Sequence, residues 1–142
     1  MTDARMMKLA LEIADRSRDN DTKVGCVLAR DEQVLVAAAN DVIDGAEATI
    51  DRTTRPAKTL WIEHAERNAV YAAAKRGICL DGATAYVTLF PCSDCCRALI
   101  QSGIRRLVSN TAPDFQHPRW GQHFKDAVKL LKACELSYAV II

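Results

Sequence analysis

The order of apolar runs predicts an α/β protein of three layers, a mixed five-stranded sheet with helices on both faces. Periodic segments follow one another as α-β-β-α-β-α-β-α-β. The later strands are separated by helix-length segments, and strands joined through a helical crossover are normally parallel. A length of 142 residues, 49% hydrophobic and 26% charged, suits one compact domain over 1–142 with a single core.

Each element has its own signal. Met6, Met7, Ala10, Leu11, Ile13 and Ala14 recur at helical spacing and predict an amphipathic helix over 4–16, broken by Asp19-Asn20-Asp21. Runs 24–29 and 34–39 are rich in β-formers around Arg30-Asp31-Glu32 and predict an antiparallel hairpin at one edge of the sheet. The stretch 40–61 lacks periodicity, and a loop of that length in a compact domain often forms a lid or binding surface. An alanine-rich helix is expected over 63–76, stopped by Gly77. A short buried strand at 85–89 leads through Pro91 into a helix at 93–101 closed by Gly103. A strand at 106–109, an irregular stretch at 110–121, a helix at 122–133 and a strand at 137–142 complete the chain.

Nineteen basic and eighteen acidic residues leave a net charge of +1, whereas proteins that grip a long phosphate backbone usually carry a clear basic excess. A small-molecule partner is therefore expected in preference to extended nucleic acid. No apolar run reaches membrane-spanning length, and the N-terminus lacks the pattern of a signal peptide. Six cysteines without a secretion signal point to a reducing, cytoplasmic setting, where a paired Cys motif suggests metal or redox chemistry. Cys26, Cys79 and Cys134 stand singly in apolar stretches and need no function.

Two segments carry chemistry: His64-Ala65-Glu66 and Pro91-Cys92-Ser93-Asp94-Cys95, each opening a helix. Thiolate and neutral imidazole are preferred zinc ligands, and one helical turn puts Cys92 and Cys95 on the same side. The positive helix end favours the thiolate form. His64 supplies a third ligand, and three protein ligands leave a fourth tetrahedral position for water. Glu66 is the carboxylate that takes a proton from that water and passes it on. Residues two apart on a regular helix point about 200° apart. Both His64 and Glu66 therefore face one metal only if the helix begins at about His64 with non-helical backbone there. A Cys-x-x-Cys pair also suits a thiol–disulfide enzyme, and a closed structural zinc site could recruit Cys96. Cys96, about 100° round the helix from Cys95, is expected in the core.

His-x-Glu followed by Pro-Cys-x-x-Cys is the signature of zinc nucleobase deaminases. With it come Thr22-Lys23-Val24-Gly25-Cys26-Val27, Arg67-Asn68-Ala69-Val70, Tyr86-Val87-Thr88-Leu89-Phe90 and Ile100-Gln101-Ser102-Gly103-Ile104. On these residues the sequence resembles the cytidine and deoxycytidylate deaminase superfamily over nearly its full length, with the deoxycytidylate branch nearer. The resemblance implies a cytidine-deaminase-like fold, a Zn²⁺ cofactor, and hydrolysis of dCMP to dUMP and ammonia in a homo-oligomer. It also implies that Glu66 protonates the ring nitrogen and helps the amine leave. Asn40 matches an asparagine that touches the sugar, and the Ala65 backbone matches the site that meets the pyrimidine carbonyl.

Three departures bear on specificity and leave the metal ligands untouched. Ala38-Ala39 stands where Gly-Tyr is common, 41–61 lacks a counterpart, and Cys96-Arg97 replaces Ala-Lys. Cytidine, cytosine and guanine stay open as substrates. Transfer-RNA adenosine fits less well, because Phe90 stands where that branch usually carries an acid. Arg18, Lys23, Arg52, Arg55 and Lys58 are candidates for a 5′-phosphate, with solvated loop charge as the plainer reading of each. Phe115 and Trp120 suit stacking on a base, anchoring of their loop or a subunit interface. His117 and His123 are read as ordinary exposed histidines, and Asp94 as a helix N-terminal charge.

Overall fold

Strand positions alternate between two apolar layers, and that alternation places helices on both sides of the sheet. The computed structural model describes residues 2–142. Its elements are α1 (Thr2–Ala14), β1 (Gly25–Arg30), β2 (Gln33–Ala39), β3 (Asp41–Val42), α2 (Lys58–Trp61) and β4 (Ile62–Glu63). They continue with α3 (Ala65–Arg76), β5 (Thr84–Val87), α4 (Ser93–Gln101), β6 (Arg106–Ser109), α5 (Gly121–Ala133) and β7 (Ser137–Val140). The main sheet has five strands in the order β2-β1-β5-β6-β7. β1 pairs antiparallel with both β2 and β5, while β5, β6 and β7 run parallel. The expected mixed α/β/α architecture is therefore present, with parallel pairing confined to the three strands linked by α4 and α5.

One layer joins Cys26, Leu28, Ala85, Val87 and Leu107 to α3, α4 and α5 through Ala69, Ala73, Leu99, Ala127 and Leu131. The opposite strand faces, Val27, Ala29, Tyr86 and Val108, pack on Met6, Met7, Ala10 and Ile13 of α1. Gly25 permits that packing: a Cβ there would collide with the Ala10 carbonyl oxygen. Asp3 fastens the start of α1 to the sheet, accepting hydrogen bonds from Tyr86 Oη at 2.8 Å and Arg106 Nη1 at 2.9 Å. Among the described residues, no helix is long and apolar enough to cross a membrane.

The largest difference from expectation lies in 40–61, which is neither unstructured nor loose. β3 pairs with β4 through Asp41–Glu63 and Val42–Ile62, and α2 is a single turn. The segment is also pinned to the 17–24 turn. Asn20 Nδ2 donates to Thr53 Oγ1 at 2.7 Å, the Arg55 N–H donates to Asp21 Oδ2 at 3.0 Å, and Lys58 Nζ donates to Asp19. Two-residue strands and a four-residue helix leave no period to detect, which is why the sequence reads there as featureless.

Candidate active site

The segment that follows β5, with Leu89, Phe90 and Cys92, forms one side of the site and the start of α3 the other. His64 is the N-cap of α3, with extended backbone (φ −68°, ψ 150°), so the helix begins at Ala65. This is the boundary that lets His64 and Glu66 address the same cavity. Cys92 is likewise an extended N-cap (φ −72°, ψ 170°), and its sulfur accepts the Cys95 N–H at 3.5 Å. Helix N-terminal N–H groups lack intrahelical acceptors, so a thiolate is a favourable cap there.

His64 Nδ1 lies 3.6 Å from Cys92 Sγ and 3.4 Å from Cys95 Sγ. A tetrahedral zinc with Zn–N near 2.0–2.1 Å and Zn–S near 2.3 Å requires an N···S edge of about 3.5 Å. The donor set and its spacing fit Zn²⁺. Among the described residues this trio is the one such group, its ligand atoms all within 4.8 Å of one another. Cys96 is fully buried in the core, where burial raises its thiol to about 12; it belongs to no ligand group.

Charge at the site follows from these contacts. The Cys95 hydrogen bond, aided by His64, brings the Cys92 thiol down to about 4 against the opposing effect of burial. Cys95, hydrogen-bonded to that sulfur and buried, is held well above the ordinary thiol range. The Cys92 sulfur in turn raises the His64 imidazole. Burial pushes the Glu66 carboxyl up to about 7, with the nearby His64 ring pulling the other way. A carboxyl near neutrality beside a metal site suits a group that both takes and returns a proton.

His64, Glu66 and Cys92 open onto a cavity of about 700 Å³, a size typical of small-molecule sites. Glu66, Ala65, Asn40 and Trp120 all line it. Trp120 meets the His64 ring edge-on, centroids 6.0 Å apart, and contacts His123 at 5.2 Å. His117 and His123, read from sequence as ordinary exposed histidines, also line the cavity and are half-buried. His123 Nδ1 lies 3.1 Å from Ser93 Oγ, and His117 Nδ1 accepts the Arg119 and Trp120 N–H groups. None of these three contacts is visible in composition.

The structure does not bring Arg18, Lys23 or Phe115 to this cavity. Arg18 Nε is 2.8 Å from Asp41 Oδ1 on the surface, and Phe115 is exposed on the irregular 110–120 segment. Arg52 stacks over Trp61 at 4.0 Å. Lys58 is at the cavity wall but buried against Asp19, and Arg67 is paired with Glu63. Arg55 and Arg119 line the cavity with no ion pair among the described residues. Asn68, which the sequence offers only as part of a motif, joins two elements. Its Nδ2 donates to Ala39 O and Glu63 O, tying the end of β2 to the start of α3.

A mixed sheet layered between helices, with His and two Cys converging at two helix N-termini, defines a cytidine-deaminase-like metalloprotein. Residues 1–111 match the model of the cytidine and deoxycytidylate deaminase zinc-binding region, and the chain belongs to that family. A deoxycytidylate deaminase of enterobacteria phage T2 is 47% identical over 45% of this chain and 34% of its own length. The chain thus spans about a third of the phage relatives it matches at that identity. A probable deoxycytidylate deaminase of Caenorhabditis elegans is 32% identical over 97% of this chain and 68% of that protein. The crystal structure of dCMP deaminase from cyanophage S-TIM5 in complex with dCMP and dUMP superposes with a TM-score of 0.79 at 22% identity. It covers 97% of this chain and 95% of that one, a likeness of fold.

Proposed function

We propose that residues 1–142 form one zinc-dependent deaminase domain that hydrolyses dCMP to dUMP and ammonia. The observation that carries this reading is His64 Nδ1 within 3.6 Å of both ligand sulfurs, with the buried Glu66 carboxyl on the same cavity. When bound by His64, Cys92 and Cys95, zinc supplies the Lewis acidity that brings the pKa of a water towards neutrality. Glu66 takes a proton from the attacking water and delivers it to N3 of the cytosine. It then carries the second proton to the departing amino group at C4. Water adds one oxygen to the ring carbon and ammonia leaves, so dCMP and water become dUMP and ammonia.

The rest of the cavity orients the substrate. Ala65 is the first residue of α3, and its N–H is one of those without an intrahelical acceptor. We assign it to the pyrimidine carbonyl as a donor. Trp120 offers a flat apolar wall beside His64, and Asn40 a contact for the sugar. Arg55 and Arg119 are the cations we assign to the 5′-phosphate, in place of Arg18 and Lys23. Support for the nucleotide comes from the deoxycytidylate deaminase of phage T2, the probable deoxycytidylate deaminase of C. elegans, and the dCMP and dUMP in complex with the cyanophage protein. We further read the enzyme as cytoplasmic and homo-oligomeric. Its six free cysteines suit a reducing compartment, and exposed Ile50 and Leu60 supply apolar surface for a subunit contact.

The test is ammonia release by the zinc-loaded protein against cytosine, cytidine, deoxycytidine, CMP, dCMP, adenine and guanine. Turnover of dCMP well above deoxycytidine is expected. Preference for an unphosphorylated compound would overturn the substrate and leave the reaction standing.

A further inference from the structure

Asp19 lies in the turn between α1 and β1, is 4% exposed, and has both carboxylate oxygens fully engaged. Oδ1 accepts from the Asp21 N–H at 2.7 Å, the Thr22 N–H at 3.1 Å and Lys58 Nζ at 3.0 Å. Oδ2 accepts from Lys58 Nζ at 3.0 Å and Asn40 Nδ2 at 3.2 Å. Lys58 is 7% exposed, with Asp21 Oδ2 also 3.4 Å from its ammonium. Burying such a pair carries a large desolvation cost, so it is weak evidence for stability alone. What the pair touches next is Asn40.

The Asn40 amide has one possible orientation. Its Nδ2 donates to Asp19 Oδ2 and, at 2.9 Å, to the Thr22 carbonyl, both of which only accept. Its Oδ1 accepts the Val24 N–H at 2.8 Å, which only donates. Both amide hydrogens are therefore spoken for, and one lone pair on Oδ1 is the capacity left. Asn40 lines the cavity, so whatever it grips there must be a hydrogen-bond donor. A sugar hydroxyl qualifies; a phosphate oxygen or ring carbonyl does not.

We propose that Asp19 and Lys58 are positioning residues whose buried ion pair holds the Asn40 amide oxygen as the acceptor for a sugar hydroxyl of the substrate. Lys58 stands six residues before His64, on the segment that leads through β4 into the metal ligand. The pair thereby fixes the sugar contact and the approach to the metal centre relative to each other. This inference rests on the nucleotide-deaminase reading, and dCMP has a single sugar hydroxyl, on C3′.

The experiment compares kcat/KM of the zinc-loaded enzyme for dCMP and for 2′,3′-dideoxy-CMP, which lacks that hydroxyl. One neutral hydrogen bond predicts a wild-type preference of roughly tenfold for dCMP. Asp19→Asn places an amide N–H₂ where Asn40 Nδ2 needs an acceptor, while Lys58 keeps Asp21 as partner. The preference should then shrink towards unity, with dCMP losing about tenfold more than the dideoxy substrate and the loss appearing mainly in KM. The double variant Asp19→Asn/Lys58→Met removes both charges and serves if the single variant does not fold. Equal losses on both substrates in a folded variant, or no change, would reduce the pair to a structural element and overturn the inference. A wild type that turned over both substrates equally would also overturn it, yet would leave the deaminase reading standing. A wild type silent on dCMP would sink the substrate reading itself, and the inference with it.

Discussion

We assign different work to Glu66 and to the metal-binding trio His64, Cys92 and Cys95, and single substitutions separate them. Glu66→Gln keeps size and polarity and removes the carboxyl we propose as proton carrier, so the protein should fold, bind zinc in full and lose turnover. General acid–base catalysis is typically worth about 10²–10⁴, and in the proposed reaction this residue serves at more than one step. His64→Ala, Cys92→Ala and Cys95→Ala should each lose zinc as well as activity, which metal analysis beside ammonia release would resolve. A Glu66→Gln enzyme of near-normal rate would remove that residue from the chemistry. Full zinc in all three ligand variants would displace the centre. The three metal-binding side chains were legible through residue type, local spacing and the family signature: a histidine opening one helix, and two cysteines one helical turn apart opening another, which the fold then brings together. The cavity wall was legible only in part: Asn40, Ala65 and Trp120 reach it, and Arg18, Lys23 and Phe115 do not. Arg18, Lys23 and Phe115 are as basic or aromatic as any pocket residue, and only tertiary packing decides that Arg18 turns to Asp41. The same packing sends His117 and His123 into the cavity.

At the scale of elements, period was the readable quantity and length set its limit. Strands of four to seven residues and helices of nine or more were recoverable, along with the glycine stop at Gly77, whose φ is 69°. β3, α2 and β4 were not, because two to four residues carry no period. Lys58 illustrates the deeper reason. A lysine in a polar stretch reads as solvated, and it becomes buried through Asp19, 39 residues away. The attachment of α1 offers a prediction of its own. The Arg106 guanidinium, helped by Tyr86, lowers the Asp3 carboxyl from 3.8 to about 2. A depressed carboxyl stabilises the fold above its unfolded value and loses that contribution as pH falls through the folded one. Asp3→Asn should therefore lower the melting temperature modestly at pH 6. The gap to wild type should close as pH falls from about 4 to about 2. Asp3 is partly exposed, so the gap will be small. A gap independent of pH would mean that Asp3 acts by packing and not by charge.

For the molecule as a whole, the open question is how much of the fold depends on its metal. His64 opens α3, while Cys92 and Cys95 open α4, so zinc would join two helices at one end of the sheet. Small zinc modules in which the metal replaces a core unfold without it. Here α3 and α4 are held independently of the site, through Ala69, Ala73, Cys96 and Leu99 against the sheet. A second apolar layer lies beneath α1. Chelation should accordingly lower the melting temperature and leave the far-ultraviolet circular dichroism in place. A ligand bound at 100 times its Kd adds about 2.7 kcal/mol. At this size roughly 1 kcal/mol corresponds to about 2–8 °C, so a drop of several degrees up to about 20 °C is expected, reversed by added zinc. Collapse of the secondary structure on chelation would make the centre structural, the closed-site alternative that the cysteine pair first allowed. No shift at all would mean that zinc does not bridge α3 and α4. A reversible drop with the backbone signal intact would show a metal seated on a framework that is already built without it.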